Sequence, residues 1–243
     1  MKPVYTIRTT SVEAYRYWAH EQSESNESWN TEDKLIETIK GIYLANVKAN
    51  FGEFGHLIIE KPKENRAYLS NGEYGFKWKG FELTQAQAVP LIHHAADHPL
   101  WSREIPLAKV YELPNCKLIL TGTCDAIEGI ECRDTKLKFS SFDVSDFLVS
   151  FQWRAYLDML GLKTFHYDFF RVFNFQVKQD CLKARIEPCE SMTCYWYEEM
   201  NRDVVSMLTE FVEYCQYRQL TDYLKIDAAK QKRIRAAGLK IQL

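Results

Sequence analysis

The chain has 243 residues, of which 46% are hydrophobic, 14% aromatic and 26% charged, enough apolar material for one sizeable core beneath a polar surface. Its 31 Lys+Arg against 33 Asp+Glu give a formal net charge of −2, which excludes a uniformly basic coat for nucleic acid and an acidic disordered chain, and leaves a local basic groove open. No window approaches the roughly 18 consecutive apolar residues of a membrane span, and Met1 to Arg8 has no apolar signal-peptide core, so a cytoplasmic protein without a membrane partner is expected.

Thr10-Ser11-Val12-Glu13 reads as a capping box opening a helix that runs to about Gln22,. Polar Ser23 to Asn30 reads as a loop. From Asp33 to Ala49, Leu35, Ile36, Ile39, Ile42, Tyr43 and Val47 recur at helical spacing,. Phe51 to Lys61 reads as a further helix carrying Gly52, Gly55 and His56, stopped by Pro62,. Asn65 to Lys79 is glycine-rich and reads as a loop or hairpin; Leu83 to His94 reads as a helix interrupted by Pro90. Strand-like runs follow over Ile105–Glu112, Leu118–Ile127 and Ile130–Lys138. A helix over Asp143–Leu160 ends at Gly161,. Strands over Phe165–Val177 and Leu182–Trp196 precede a long helix, Glu198–Gln219, and a short basic one. This order predicts an α/β fold with a mixed central β-sheet flanked by helices, as a single domain over residues 1–243,. The core is expected at about 40–215, a helical extension at 1–39 and a basic tail at 220–243.

The seven cysteines are odd in number and contain no C-x-x-C, so buried free thiols are expected rather than a disulfide framework or a zinc ribbon. Cys181, Cys189, Cys194 and Cys215 are the remaining candidates for an iron–sulfur cluster, at spacings that match no cluster motif,.

The chemistry concentrates between Leu118 and Tyr156. A two-residue turn at Glu128-Gly129 puts Asp125 opposite Cys132 and Thr123 opposite Asp134,. Alternate strand residues share a face, so Asp125, Asp134 and Lys136 point to one side, the two carboxylates as diagonal neighbours about 7–8 Å apart at Cα. Arg133 and Glu131 point to the other. An odd loop length would split the carboxylates between faces. Two convergent carboxylates suit a hard divalent cation, Mg²⁺ or Mn²⁺. A neighbouring lysine suits a nucleophilic water or a phosphate. The competing reading is a solvated strand face of cross-strand Asp and Lys pairs.

These residues carry a resemblance. Asp125 followed by Asp134-Thr135-Lys136 resembles the Asp…(D/E)-x-K signature of the PD-(D/E)XK nuclease superfamily. Gln152-Trp153-Arg154-Ala155-Tyr156 resembles the Q-x-x-x-Y motif of its RecB-like branch, and Gly52-Glu53-Phe54-Gly55-His56 that branch's glycine–histidine helix. The motifs occur in the family's order and span roughly residues 40–215, in a layout similar to phage-type exonucleases. One departure is Cys124 in place of the signature's proline.

The resemblance implies a restriction-endonuclease-like core and a Mg²⁺-dependent DNA exonuclease of phage-type recombination or DNA processing, with Mn²⁺ as a substitute. It implies His56, Asp125, Asp134 and the Thr135 carbonyl as metal ligands, with Glu60 and Glu104 as lesser candidates. Lys136 would position or activate the attacking water. Gln152 and Tyr156, one helical turn apart, would support the site and touch the DNA backbone, with Lys138 and Arg154 as further DNA contacts. DNA, a single-strand annealing protein or recombinase, and further copies of the chain are the implied partners. The alternatives are a structure-specific or restriction-type endonuclease on the same fold, and an inactive module that only binds DNA or protein.

Other residues leave their roles open. His93, His94 and His98 with Asp97 suit a second metal, a DNA-contacting loop or a structural role,. His166, in an aromatic strand, reads as locally satisfied. Trp18 or Trp78 suits stacking on the bases of a frayed end. The basic run Lys225 to Lys240 suits either a phosphate track or a solvated helix face,.

Overall fold

The computed structural model describes residues 2–20, 31–42, 46–98, 101–139, 142–175, 183–188 and 190–239. The chain opens not with a helix but with a strand, β1 (Val4–Arg8), which runs directly into α1 (Thr9–His20). The expected continuous helix from Asp33 is two helices, α2 (Glu32–Lys40) and α3 (Val47–Glu60). Gly41, at φ +72°, ends the first in the left-handed cap that glycine adopts without steric cost,. Asn46 opens the second by accepting from the Ala49 amide,.

The glycine-rich stretch forms a three-stranded antiparallel sheet: β2 (Arg66–Tyr68), β3 (Tyr74–Trp78) and β4 (Phe81–Thr84). α4 (Gln85–Asp97) follows, its start set by a reciprocal capping box between Thr84 and Gln87; it runs through Pro90 unbroken,. β5 (Ser102–Glu112), β6 (Lys117–Glu128) and β7 (Glu131–Lys138) form a meander. The expected helix from Asp143 is a short 3₁₀ turn, Val144–Phe147, and then α5 (Phe151–Leu160), capped by Ser150 and closed by Gly161 at φ +67°. β8 (Thr164–Phe173), β9 (Arg185–Pro188), β10 (Met192–Tyr195), α6 (Met200–Tyr217) and α7 (Ala228–Ala236) complete the chain.

Among the described residues the main sheet has seven strands in mixed orientation. β5 pairs along one edge of β6, from Ser102↔Ile127 to Glu112↔Lys117. Two strands share the other edge in succession. β1 lies parallel on Lys117–Thr121, and β7 lies antiparallel on Ala126–Glu128. Residues 122–125 of β6 fall between them. The segment expected as a helical extension thus supplies a strand of the sheet.

Helices cover both faces. Val12, Leu35, Phe151, Leu208 and Phe211 pack with Ile7, Leu118 and Leu120 on one. Trp153, Tyr156 and Leu157 extend that face over Cys132, Phe165, Tyr167 and Phe169. On the other, α3, α4 and the small sheet pack Phe54, Ile58, Phe76 and Leu91 against Phe170 and Val172. Period-two alternation along β8 divides its side chains between these two layers.

Trp18 packs on Tyr214, and Trp78 stacks on Phe54, which gives both rings structural partners. Five described cysteines, Cys116, Cys124, Cys132, Cys194 and Cys215, are free and buried. Cys194 and Cys215 lie in different hydrophobic clusters, and Cys181 and Cys189 lie outside the described residues. The basic helix α7 presents Lys230, Lys232, Arg233 and Arg235 around a single buried residue, Ile234; Lys240 lies outside the described residues. Among the described residues no helix is long and apolar enough to cross a membrane.

Candidate functional site

The β6–β7 turn sits at Gly129-Ile130, one residue later than expected, with Glu128 paired to Glu131 and Gly129 at φ +57°. The register therefore moves by two residues, which preserves the face of every side chain. Pairing ends at Ala126↔Arg133, and the next residue on each strand is an aspartate, Asp125 and Asp134. Both sit where β6 has left β1 and is only beginning to meet β7.

Asp134 is 3% exposed. Its Oδ2 lies 2.6 Å from Lys136 Nζ, and its Oδ1 accepts from Gln152 Nε2 at 2.8 Å. Lys136 Nζ also donates to Gln152 Oε1 at 3.1 Å, so one amide bridges acid and base. Burial pushes the Asp134 carboxyl up to about 6, even though Lys136 pulls it down,. Burial also works against the Lys136 ammonium, but Asp134 and Asp125 outweigh it and hold its pKa above the ordinary value. Tyr156 is 2% exposed. Its hydroxyl donates to the Thr123 carbonyl at 2.8 Å, in the part of β6 that neither β1 nor β7 covers. Gly122 makes room for it: a Cβ there would meet Tyr156 Cε1 at 2.8 Å. Tyr156 is thus enclosed as a support of the site, without the exposure that a DNA contact needs. Gln152 spends its amide on Asp134 and Lys136.

The second half of the site comes from the opposite layer. In α3, Gly55 lies close against β7, where an added Cβ would stand 2.6 Å from Leu137 Cδ2. The next residue, His56, places Nδ1 3.2 Å from Asp125 Oδ2. Asp125 Oδ2 also accepts the Thr135 amide at 2.9 Å. Burial raises the Asp125 carboxyl, but His56 and then Lys136 outweigh it, and its pKa is lowered. Glu104 completes the group. Ligand atoms of His56, Glu104 and Asp125 all lie within 4.8 Å of one another. The β5–β6 register skips these two acids: Arg103↔Ala126 and Ile105↔Cys124 pair on either side. Glu104 sits there at φ +52°, a conformation costly for a side chain with a Cβ,. Its carboxyl is raised by burial, then by Asp125 and Glu60.

The donor set, one imidazole nitrogen and two carboxylates, suits a hard divalent cation. The mutual repulsion of Glu104 and Asp125 is what such an ion relieves. Asp134 stands outside this group, with its oxygens taken by Lys136 and Gln152. Thr135 and Glu60 line the same cavity as His56, Glu104 and Asp125. Glu60 lies 3.8 Å from Lys61.

The other candidates are placed differently. Lys138 is half-buried over the Phe147 ring at 4.4 Å, and burial lowers its amine to about 8. Arg154 donates to the Tyr197 hydroxyl and the Ser150 carbonyl. His166 Nδ1 bonds Thr193, while its buried Nε2 faces Glu131 at 3.4 Å without a hydrogen bond among the described residues, so the ring expected to be locally satisfied is satisfied on one side only. His94 faces Asp168 at 3.6 Å and His98 stacks on Trp101, while His93 is exposed. None of the three joins the group that brings ligand atoms together.

Two contributors left little mark in the sequence. Glu13 accepts the Phe151 amide at 2.6 Å and the Gln152 amide at 3.1 Å, so the residue read as part of its own helix's capping box instead caps α5. Thr9 lies 3.5 Å from the Tyr156 hydroxyl. Neither role has a local signal, since each partner lies more than a hundred residues away.

No protein-family model matches the chain, and no curated protein does. Among solved structures, one described as the crystal structure of SSO0001 matches with a TM-score of 0.49 and 14% identity, over 88% of this chain and 78% of that one.

Proposed function

We propose that the chain is a metal-dependent DNA exonuclease on a restriction-endonuclease-like core, as the resemblance to the RecB-like branch implies. The observation that carries this reading is the meeting of two sets at one fork in the sheet: His56, Glu104 and Asp125 from one side, and Asp134, Lys136 and Gln152 from the other. The first set would hold Mg²⁺ or Mn²⁺, and Glu104 takes a fuller part than the sequence suggested. When bound, such an ion supplies Lewis-acid stabilisation of charge developing on a phosphate.

The chain's own residues supply the rest. Lys136, ion-paired to Asp134 and bonded to Gln152, is held as an ammonium. It therefore orients a water and offsets phosphate charge rather than removing a proton. Gln152 fixes both members of that pair, and Tyr156 fixes the uncovered stretch of β6 beneath them. DNA is the substrate on this reading, with a single-strand annealing protein or recombinase as partner and further copies of the chain as assembly.

The test incubates the protein with Mg²⁺ or Mn²⁺ and two substrates, end-labelled linear duplex and closed circular DNA. Loss of nucleotides from linear ends with the circle intact is the expected result, and Asp134→Ala should abolish it while DNA binding persists. Cutting of the circle would replace the exonuclease with an endonuclease. No cleavage of either substrate would leave a binding module.

A further inference from the structure

The cavity that holds His56, Glu104 and Asp125 has a second wall that the proposed chemistry does not use, made by Trp101 and Arg133. Trp101 is 8% exposed, and its indole is clamped. His98 stacks on it at 4.0 Å, and the Arg133 guanidinium lies over the ring at 4.3 Å. These two contacts restrain the orientation of the indole. Arg133 is fixed in its turn, because Nη1 donates to both oxygens of Asp168, at 3.0 and 3.1 Å. Asp168 is held by the Ser191 hydroxyl at 2.9 Å.

This scaffold leaves two donors over. Trp101 Nε1 and Arg133 Nε are both buried and have no hydrogen-bond partner among the described residues. A buried donor without an acceptor is costly, and two on neighbouring residues lining one cavity mark a place for an acceptor. Both side chains are held by the His98 and Asp168 contacts, and both nitrogens are closed to solvent, so an acceptor reaches them only as this wall of the cavity gives way.

We propose that Trp101 Nε1–H and Arg133 Nε–H form a donor pair for a phosphoryl oxygen of the substrate, beside the His56–Glu104–Asp125 group. This rests on the nuclease reading. The oxygen belongs either to the phosphate being cut or to a terminal phosphate of the DNA end.

The experiment combines Trp101→Phe, which keeps the clamped ring and removes its N–H, with substrates carrying sulfur in place of one non-bridging oxygen. Loss of one rigid donor should lower kcat by about 10²-fold. In the wild type, sulfur at the recognised oxygen should slow cleavage markedly. In Trp101→Phe the same sulfur should add almost nothing, because the bond it weakens is already gone. Sulfur placed at the reacting phosphate and at the terminal phosphate identifies which one is held. Full additivity at both positions overturns the proposal while leaving the nuclease reading intact. A wild type inactive in Mg²⁺ and Mn²⁺ overturns both. Arg133→Lys, which removes Nε and keeps the charge facing Asp168, repeats the test should Trp101→Phe fail to fold. Independently of turnover, the Trp101 indole N–H resonance of the wild type should shift on adding duplex DNA in Ca²⁺; an unmoved resonance overturns the proposal.

Discussion

Gly55 and Gly122 make opposite demands at the same site. Both are places where an added methyl would collide, Gly55 with Leu137 at 2.6 Å and Gly122 with Tyr156 at 2.8 Å. Leu137 meets the intruder with the ends of a flexible side chain. Tyr156 meets it with a buried ring whose hydroxyl is bound to Thr123. Gly55→Ala should therefore cost less than about 1 kcal/mol, and Gly122→Ala about 1–3 kcal/mol, by overpacking. Denaturant midpoints at constant slope will separate them. Equal costs would mean that Tyr156 is freer than its contacts imply. On the proposed reading the Gly122 variant should also lose nuclease activity, because a displaced Tyr156 releases the stretch of β6 that carries Asp125.

At the scale of the element, the small sheet β2–β4 depends on one buried acid. Glu82 accepts the Ser70 amide and hydroxyl at 2.8 and 2.7 Å and lies 2.7 Å from Lys77. Lys77 and then Ser70 hold its pKa down to about 2, against an ordinary value of 4.5. A depressed folded-state pKa stabilises above the unfolded value and is lost as pH falls through the folded one. Glu82→Gln should thus cost about 1–3 kcal/mol at neutral pH. The gap between variant and wild type should close between pH 4.5 and about 2; melting curves across that range check it.

The elements also mark how far the sequence could be read. Asp134 and Lys136 were legible on one face, with Arg133 on the other, because strand side chains alternate and a slip of two residues leaves alternation untouched,. His56 was legible through its motif, and its place beside Asp125 follows from the glycine before it. β1 was not legible. Five residues carry too short a pattern, and the strand is fixed by a partner far along the chain. Glu104 was underweighted because its importance lies in a backbone angle, and residue identity does not disclose that angle.

At the scale of the molecule, the net charge of −2 conceals a division of labour. The acids near the site are spent on one another's partners and on the proposed cation site. Lys138 and Arg154 each have an aromatic or carbonyl neighbour that fixes them. α1 anchors the α5 side of the site. Glu13 caps α5 and is ion-paired with the buried Arg16 at 2.7 Å. Glu13→Ala should cost about 3 kcal/mol, since it strips a helix terminus and leaves a buried cation without this partner. It should lower activity beyond the loss of folded protein, through the unanchored Gln152. Activity per folded molecule, measured well below the melting temperature, will decide; an unchanged value would confine Glu13 to stability.

The two strands sharing one edge of β6 bear on the order in which the protein is made. Thr121 bonds the Ile7 carbonyl across 114 residues of sequence, and Glu13 reaches the α5 amide across 138. During synthesis β1 therefore has no sheet partner until β6 is made, and Glu13 has no α5 amide to cap until α5 is made,. Before α5 the chain lacks Gln152, and with it the lysine–glutamine bridge above the fork. Nascent chains that end before α5 cannot assemble the site, so on the proposed reading hydrolysis of DNA is withheld from unfinished molecules by the topology of the sheet.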